Sequence, residues 1–169
     1  MPNRVLIAGM GNVLRRDDGF GVHVAKQLAT ANNLPMNVKL IEVGIGGIHL
    51  VHELMSGYDA LIVLDAVERG TRPGTLHTLK ATVPDLNTWD ENRRRDFLAD
   101  MHYTTPSRAM ILAKALGVLP RQTFIIGCQS ADADELGIGL SEPVERAAQA
   151  TLGEIEKVIR EIQSGETAT

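Results

Sequence analysis

Five side chains in this sequence are of types that could hold a divalent metal. Asp17 and Asp18 follow the glycine-bounded segment Gly9-Met10-Gly11-Asn12. Glu42 and Asp65 each come at the end of an apolar run, and His102 precedes a helical pattern that begins at Pro106. Two carboxylates and a neutral imidazole suit a borderline ion such as nickel or zinc. Without thiolates such a set holds the ion weakly, which fits an ion that arrives already bound to something else. The single cysteine, Cys128, excludes an internal disulfide framework and a multi-cysteine zinc site.

Each of these residues also has a plainer use. Asp17 or Asp18 could cap the helix that starts near Gly19. Asp65 could close a turn after its strand, and His102 could pack in a loop. His49 and His52 lie three apart on a helix, but no third ligand accompanies them. His23 and His77 read as partly exposed helix and strand positions. Cys128 reads as a small buried hydrophobe rather than a nucleophile. Arg93-Arg94-Arg95 is a solvated run that could steer an acidic partner.

The elements that must position these groups alternate in type. Strands are expected at Arg4–Ala8, Val38–Val43, Ala60–Leu64, Thr75–Leu79 and Thr123–Gly127, from their short apolar runs. Helices are expected at Gly19–Ala31, Ile48–Met55, Pro106–Leu116 and Pro143–Ile162. Proline sits in the first turn of the third and Gly117 at its end. The polar stretch Pro84–Met101 fits either a mobile loop or a short helix. The alternation predicts an α/β fold, a three-layer sandwich. Its mostly parallel twisted sheet would have about five strands and helices on both faces. In such a sheet ligands sit beyond the carboxyl ends of the strands, where Asp17, Asp18, Glu42, Asp65, His102 and the polar pair Gln129-Ser130 would gather.

The chain has 169 residues, 44% apolar and 22% charged, with a net charge of −4. These proportions suit one globular domain over 1–169, with a frayed tail from 163 on. A chain of this size buries roughly 70% of its unfolded surface and needs no disulfide or resident metal to fold. The acidic balance argues against nucleic acid as a partner. No apolar run has the form of a signal peptide or approaches the ~20 residues of a membrane span. A cytoplasmic location, a monomer and no membrane partner are therefore expected. Gly9-Met10-Gly11 resembles a dinucleotide fingerprint, but Leu14 occupies the third glycine position. A phosphate-binding Gly-x-x-x-x-Gly-Lys loop, a His-Glu-x-x-His helix and a Gly-x-Ser-x-Gly elbow are all absent.

Taken whole, Gly9-Met10-Gly11-Asn12-Val13-Leu14-Arg15-Arg16-Asp17-Asp18-Gly19-Phe20-Gly21-Val22 resembles the opening signature of the hydrogenase maturation proteases, the endopeptidases that trim the C-terminus of nickel-iron hydrogenase large subunits. The resemblance continues through Leu64-Asp65-Ala66, Pro73-Gly74-Thr75, His102 and Leu116-Gly117, and covers the chain to about Gly153. It implies that Asp18, Asp65 and His102 bind nickel and carry the catalysis. The ion is carried by the substrate, a [NiFe] hydrogenase large-subunit precursor, so no tightly bound cofactor is expected. Relatives often have Glu where Asp18 stands, which leaves Asp17 as an alternative ligand. Glu42-Val43-Gly44-Ile45 replaces the family's usual Asp-Gly-Gly-Thr turn, which lines the cleft in relatives. The resemblance also implies the course of reaction. The substrate's nickel docks on the three ligands, and water is activated by the metal as Lewis acid or by a carboxylate as base.

Two other functions share parts of this pattern. A receiver domain also places acids after its first strand and a phospho-accepting Asp after its third. It needs a Lys after the fifth strand, where Cys128-Gln129-Ser130 stands instead. A non-catalytic, nickel-sensing chaperone on the same fold would bind the precursor without cutting it.

Overall fold

The computed structural model describes residues 1–100 and 105–165. Its sheet contains β1 (Val5–Met10), β2 (Val38–Gly44), β3 (Ala60–Val67), β4 (Leu76–Lys80) and β5 (Gln122–Gln129) in the order β2-β1-β3-β5-β4. β1, β2, β3 and β5 are parallel, and β4 pairs antiparallel with β5 at the edge. The helices are α1 (Phe20–Ala31), α2 (Gly47–Leu54), α3 (Glu91–Ala99), α4 (Pro106–Ala115) and α5 (Glu142–Ser164).

Strand side chains alternate between faces, which explains the unbroken apolar runs in β1 and β3. Val5, Ile7, Ile62 and Leu64 pack with Phe20 and Val24 of α1 and Val144 and Ile155 of α5. Leu6, Ala8, Leu61 and Val63 pack with Leu50 and Leu54 of α2 and Ala109 and Ala113 of α4. Both faces of the central strands are thus covered, giving the three expected layers.

The structure lengthens β3 and β5 most relative to the sequence reading, to eight residues each. β3 continues past Leu64 because its ladder with β5 does: Asp65 pairs with Gly127, Ala66 with Cys128 and Val67 with Gln129. Asp65 is therefore a strand residue, as are Cys128 and Gln129. The undecided stretch before residue 101 holds α3, whose sequence has almost no apolar stripe. Its start is fixed by Asp90, whose Oδ1 accepts the Arg93 amide at 2.9 Å. Its one buried residue, Phe97, meets Trp89 edge-to-face at 5.6 Å. At the other end of the chain α5 runs through Ser164 and is terminated by Gly165 in the left-handed conformation. Among the described residues no helix is long and apolar enough to cross a membrane.

Candidate functional site

From β1 the chain crosses to β2 on one side and later returns to β3 on the other. The carboxyl ends of β1 and β3 therefore form the switch point of the sheet, where an open α/β fold leaves a crevice. Gly11 lies at its centre. With φ of +117° it turns the chain out of β1, and its amide donates to the Gly44 carbonyl at 3.0 Å, tying the ends of β1 and β2 together. A Cβ on Gly11 would fall 1.9 Å from the Asp18 carbonyl oxygen and 3.4 Å from Asp65 Oδ1. Only glycine lets the two aspartates approach across this point. Gly21 acts similarly one layer away, since a Cβ there would lie 2.0 Å from the Leu64 carbonyl oxygen. A Cβ on Gly9 would likewise lie 2.5 Å from the Gly21 carbonyl oxygen, so close packing explains both glycines that resembled a dinucleotide fingerprint.

The adjacent acids Asp17 and Asp18 have opposite environments. Asp17 is fully buried. Its Oδ1 accepts the Ser141 amide at 2.7 Å, and its Oδ2 accepts the Ala131 amide at 2.8 Å, the Asp132 amide at 3.0 Å and the Ser141 hydroxyl at 2.8 Å. That carboxylate is saturated. Asp18 is half-buried, and its Oδ2 accepts the Asn12 amide at 2.9 Å. Among the described residues its Oδ1 has no hydrogen-bond donor. Neither acid caps α1, whose N-cap is Gly19 with no side-chain bond. Of the two, Asp18 retains lone pairs for a ligand.

Asp65 lies across Gly11 from Asp18, at the carboxyl end of β3. Burial, and then the charge of Asp18, push its pKa up to about 7, against a smaller opposing effect of the Ala66 amide, which donates to its Oδ1 at 2.9 Å. A carboxyl at this balance takes or releases a proton readily near neutral pH, and a cation placed between it and Asp18 would hold it ionised.

His102 lies outside the described residues. Four positions later, α4 begins. It leads into β5, which is parallel to β3, so α4 runs back against the strands and starts at their carboxyl end. Glu42, grouped with the acids from sequence, is exposed on β2 beside the irregularity where Gly9 pairs with Glu42 and Met10 with Gly44. His49 and His52 are exposed on α2. Among the described residues no three His, Cys, Asp or Glu side chains converge as a metal site. Cys128 is fully buried, and burial followed by the nearby Asp17 charge pushes its thiol up to about 12, which removes it as a nucleophile.

Sequence reasoning missed the structural use of Asp17 and a second network at the end of β5. Gln129 Oε1 accepts the Arg69 amide at 2.7 Å, its Nε2 donates to Glu68 at 2.9 Å, and Ser130 also bonds Glu68. These contacts pin the β3–β4 connection. They join residues some sixty positions apart, a distance over which spacing gives no signal.

Comparison with known proteins decides the family. The sequence profile described as hydrogenase maturation protease matches residues 22–158. The chain belongs to the hydrogenase maturation protease family. It is similar to the hydrogenase expression/formation protein HupD of Rhodobacter capsulatus, with 33% identity over 159 residues, covering 94% of this chain and 72% of that one. The crystal structure of a hydrogenase 2 maturation peptidase from a Thaumarchaeota archaeon superposes with a TM-score of 0.65 at 31% identity, over 92% and 97% of the two chains. The hydrogenase maturating endopeptidase HybD of Escherichia coli gives a TM-score of 0.72 at 26% identity, over 94% and 93%. As a member of this family the protein is a processing endopeptidase of hydrogenase maturation, and the receiver and non-catalytic readings fall away.

Proposed function

We propose that this enzyme removes the C-terminal extension of a [NiFe] hydrogenase large-subunit precursor and uses the nickel already in that precursor as its recognition element. One observation carries the reading: Asp18 and Asp65 meet across Gly11 at the switch point, and among the described residues Asp18 keeps an oxygen without a donor. Burial, and then repulsion by the Asp18 charge, disfavour the ionised form of Asp65. An incoming divalent ion relieves that repulsion. His102 completes the ligand set in this proposal, as a borderline-ion ligand preceding α4.

Nickel ligated by the substrate's cysteines would enter the crevice and be met by Asp18, Asp65 and His102. Docking would draw the proton from Asp65 and bring the scissile peptide bond beside the carboxylates. Water attacks the scissile carbonyl, activated by nickel as Lewis acid or by a carboxylate as base, and the extension leaves with a new amino terminus. A precursor without nickel has nothing to occupy the three ligands, so the metal acts as a checkpoint. The enzyme is proposed to work as a cytoplasmic monomer.

The test is to incubate nickel-loaded precursor with the wild type and with Asp18→Asn, Asp65→Asn and His102→Ala, reading the C-terminal mass. The wild type is expected to remove the extension and each variant to leave it in place while keeping its circular dichroism. Full cleavage by all three folded variants would show the assigned residues to be wrong.

A further inference from the structure

We propose that a groove beside Asp18, walled by Val13, Arg16, Ile138 and Leu140 and floored by His23 and Lys26 of α1, binds the precursor's C-terminal extension through an apolar side chain next to a carboxylate. The inference rests on the function proposed above and adds to it the surface that grips the leaving fragment.

The groove has a volume of about 130 Å³. Sites for cofactor-sized ligands span roughly 300–1,000 Å³, so this one suits a single side chain. It adjoins Asp18 along the chain, because the turn Arg16–Gly19 that supplies Arg16 and Gly19 to the groove also carries Asp18. It is also pre-built. The buried Asp17 carboxylate fixes the amides of Ala131, Asp132 and Ser141, the two ends of the loop that supplies the opposite wall. The Arg16 amide donates to the Gly137 carbonyl at 3.0 Å, and the Gly137 amide donates to the Leu14 carbonyl at 2.8 Å. The Arg16 side chain lies across this loop, its Nε 2.7 Å from where a Cβ at Gly137 would fall.

The chemistry of the walls selects the occupant. Val13, Leu14, Leu136 and Ile138 are exposed on the two bonded loops, Leu136 and Ile138 each at 80%. Apolar side chains grouped like this at the mouth of a site mark a contact surface. The groove's charged side chains are all basic in a chain of net −4. Glu145 engages His23 at 3.2 Å, and Asp132 lies near enough to Arg16 to feel its charge. Among the described residues neither Arg16 nor Lys26 is in an ion pair with a carboxylate, whereas the neighbouring Arg15 is bonded to Asp134 at 2.7 Å. An extension always ends in a carboxylate, and an acidic side chain within it offers the same group. Either, beside an apolar residue, complements the groove.

The experiment titrates the full-length enzyme with a synthetic peptide of the precursor's C-terminal extension, and in parallel measures KM for the nickel-loaded precursor. Ile138→Glu and Lys26→Glu, both at solvent-exposed positions, are each expected to weaken peptide binding at least tenfold and to raise KM similarly. The mature large subunit, which lacks the extension, should bind wild type and variants alike. A C-terminally amidated peptide separates the two anion sources. It binds more weakly if the terminal carboxylate is held and equally well if an acidic side chain is. Unchanged peptide affinity and KM in Ile138→Glu, in an assay where the wild type trims the precursor, would overturn the groove and leave the proposed function standing. Dissociation of a dimer by Ile138→Glu with no change in peptide affinity would assign the surface to a second copy and overturn the inference. A wild type that binds the peptide but trims no loaded precursor would instead count against the function itself.

Discussion

Asp17 and Asp18 are consecutive in sequence, yet one carboxylate builds the protein and the other is left open. Asp17 is sealed from solvent and holds three backbone amides and a hydroxyl from one distant loop. Asp18 and Asp65 sit at a crevice with one amide each on their carboxylates. Those four hydrogen bonds tie the turn to that loop, so Asp17 contributes to folding. A carboxylate with few donors and a like charge beside it contributes little to folding and is ready for a cation. The lesson is that acid identity and strand-end placement do not separate a scaffold from a ligand, whereas the count of hydrogen-bond donors does.

That contrast can be broken by exchanging each acid for its amide. Asp18→Asn is expected to lower processing of loaded precursor by roughly 100-fold or more, since a ligand charge is lost, with its melting temperature held. Asp17→Asn is expected to do the reverse at first order. It sets an amide NH₂ against amide donors in a buried pocket and costs on the order of 3 kcal/mol of stability, read as a lowered urea midpoint. If Asp17→Asn kept full stability while Asp18→Asn unfolded, the two roles would be exchanged.

The pH dependence of Asp65 sharpens the same contrast. Its folded-state pKa of about 7 lies above the ordinary 3.8, so the folded protein holds the proton more tightly than the unfolded chain. The cost of ionising it is absent below the ordinary value, grows through the interval, and is complete above about 7. Without nickel, Asp65→Asn should therefore gain stability relative to wild type as pH rises from about 4 to about 8, by a few kcal/mol. Urea midpoints at the two ends check this, and equal differences at both would deny the raised pKa of Asp65. Docking of nickel-loaded precursor should weaken as pH falls through about 7, because a protonated Asp65 no longer ligates.

Much of the fold was legible because each central strand is an unbroken apolar run bounded by glycine or a charged residue. The runs read at Arg4–Ala8 and Ala60–Leu64 have their apolar residues buried on both faces, and that pattern leaves few alternatives to a parallel sheet. The antiparallel edge strand was not legible as such, since direction is set by the ladder with β5 and not by the residues of Leu76–Lys80. α3 was obscure because a cap at Asp90 and one aromatic contact at Phe97 define it, rather than a periodic stripe. At the site, the sequence pattern brought Asp18 and Asp65 forward together. It did not separate Asp17 from Asp18, because the groups that occupy Asp17 lie more than a hundred residues away.

The smallest expected effect concerns Cys128, a buried titratable side chain near the end of β5. With its thiol held near 12 by burial, Cys128→Ala should leave processing unchanged and lower stability by about 1 kcal/mol through the small void it creates. Alkylation by iodoacetamide in the folded state should be slow. Loss of processing in a folded Cys128→Ala enzyme would move the chemistry away from the carboxylates.

The most direct test of the central claim compares nickel-loaded with nickel-free precursor as substrates for the wild-type enzyme, reading the C-terminal mass over time. The account predicts that the extension is lost only from the loaded form. Cleavage of both forms at the same rate would contradict it, because Asp18 and Asp65 would then be acting without the substrate's metal.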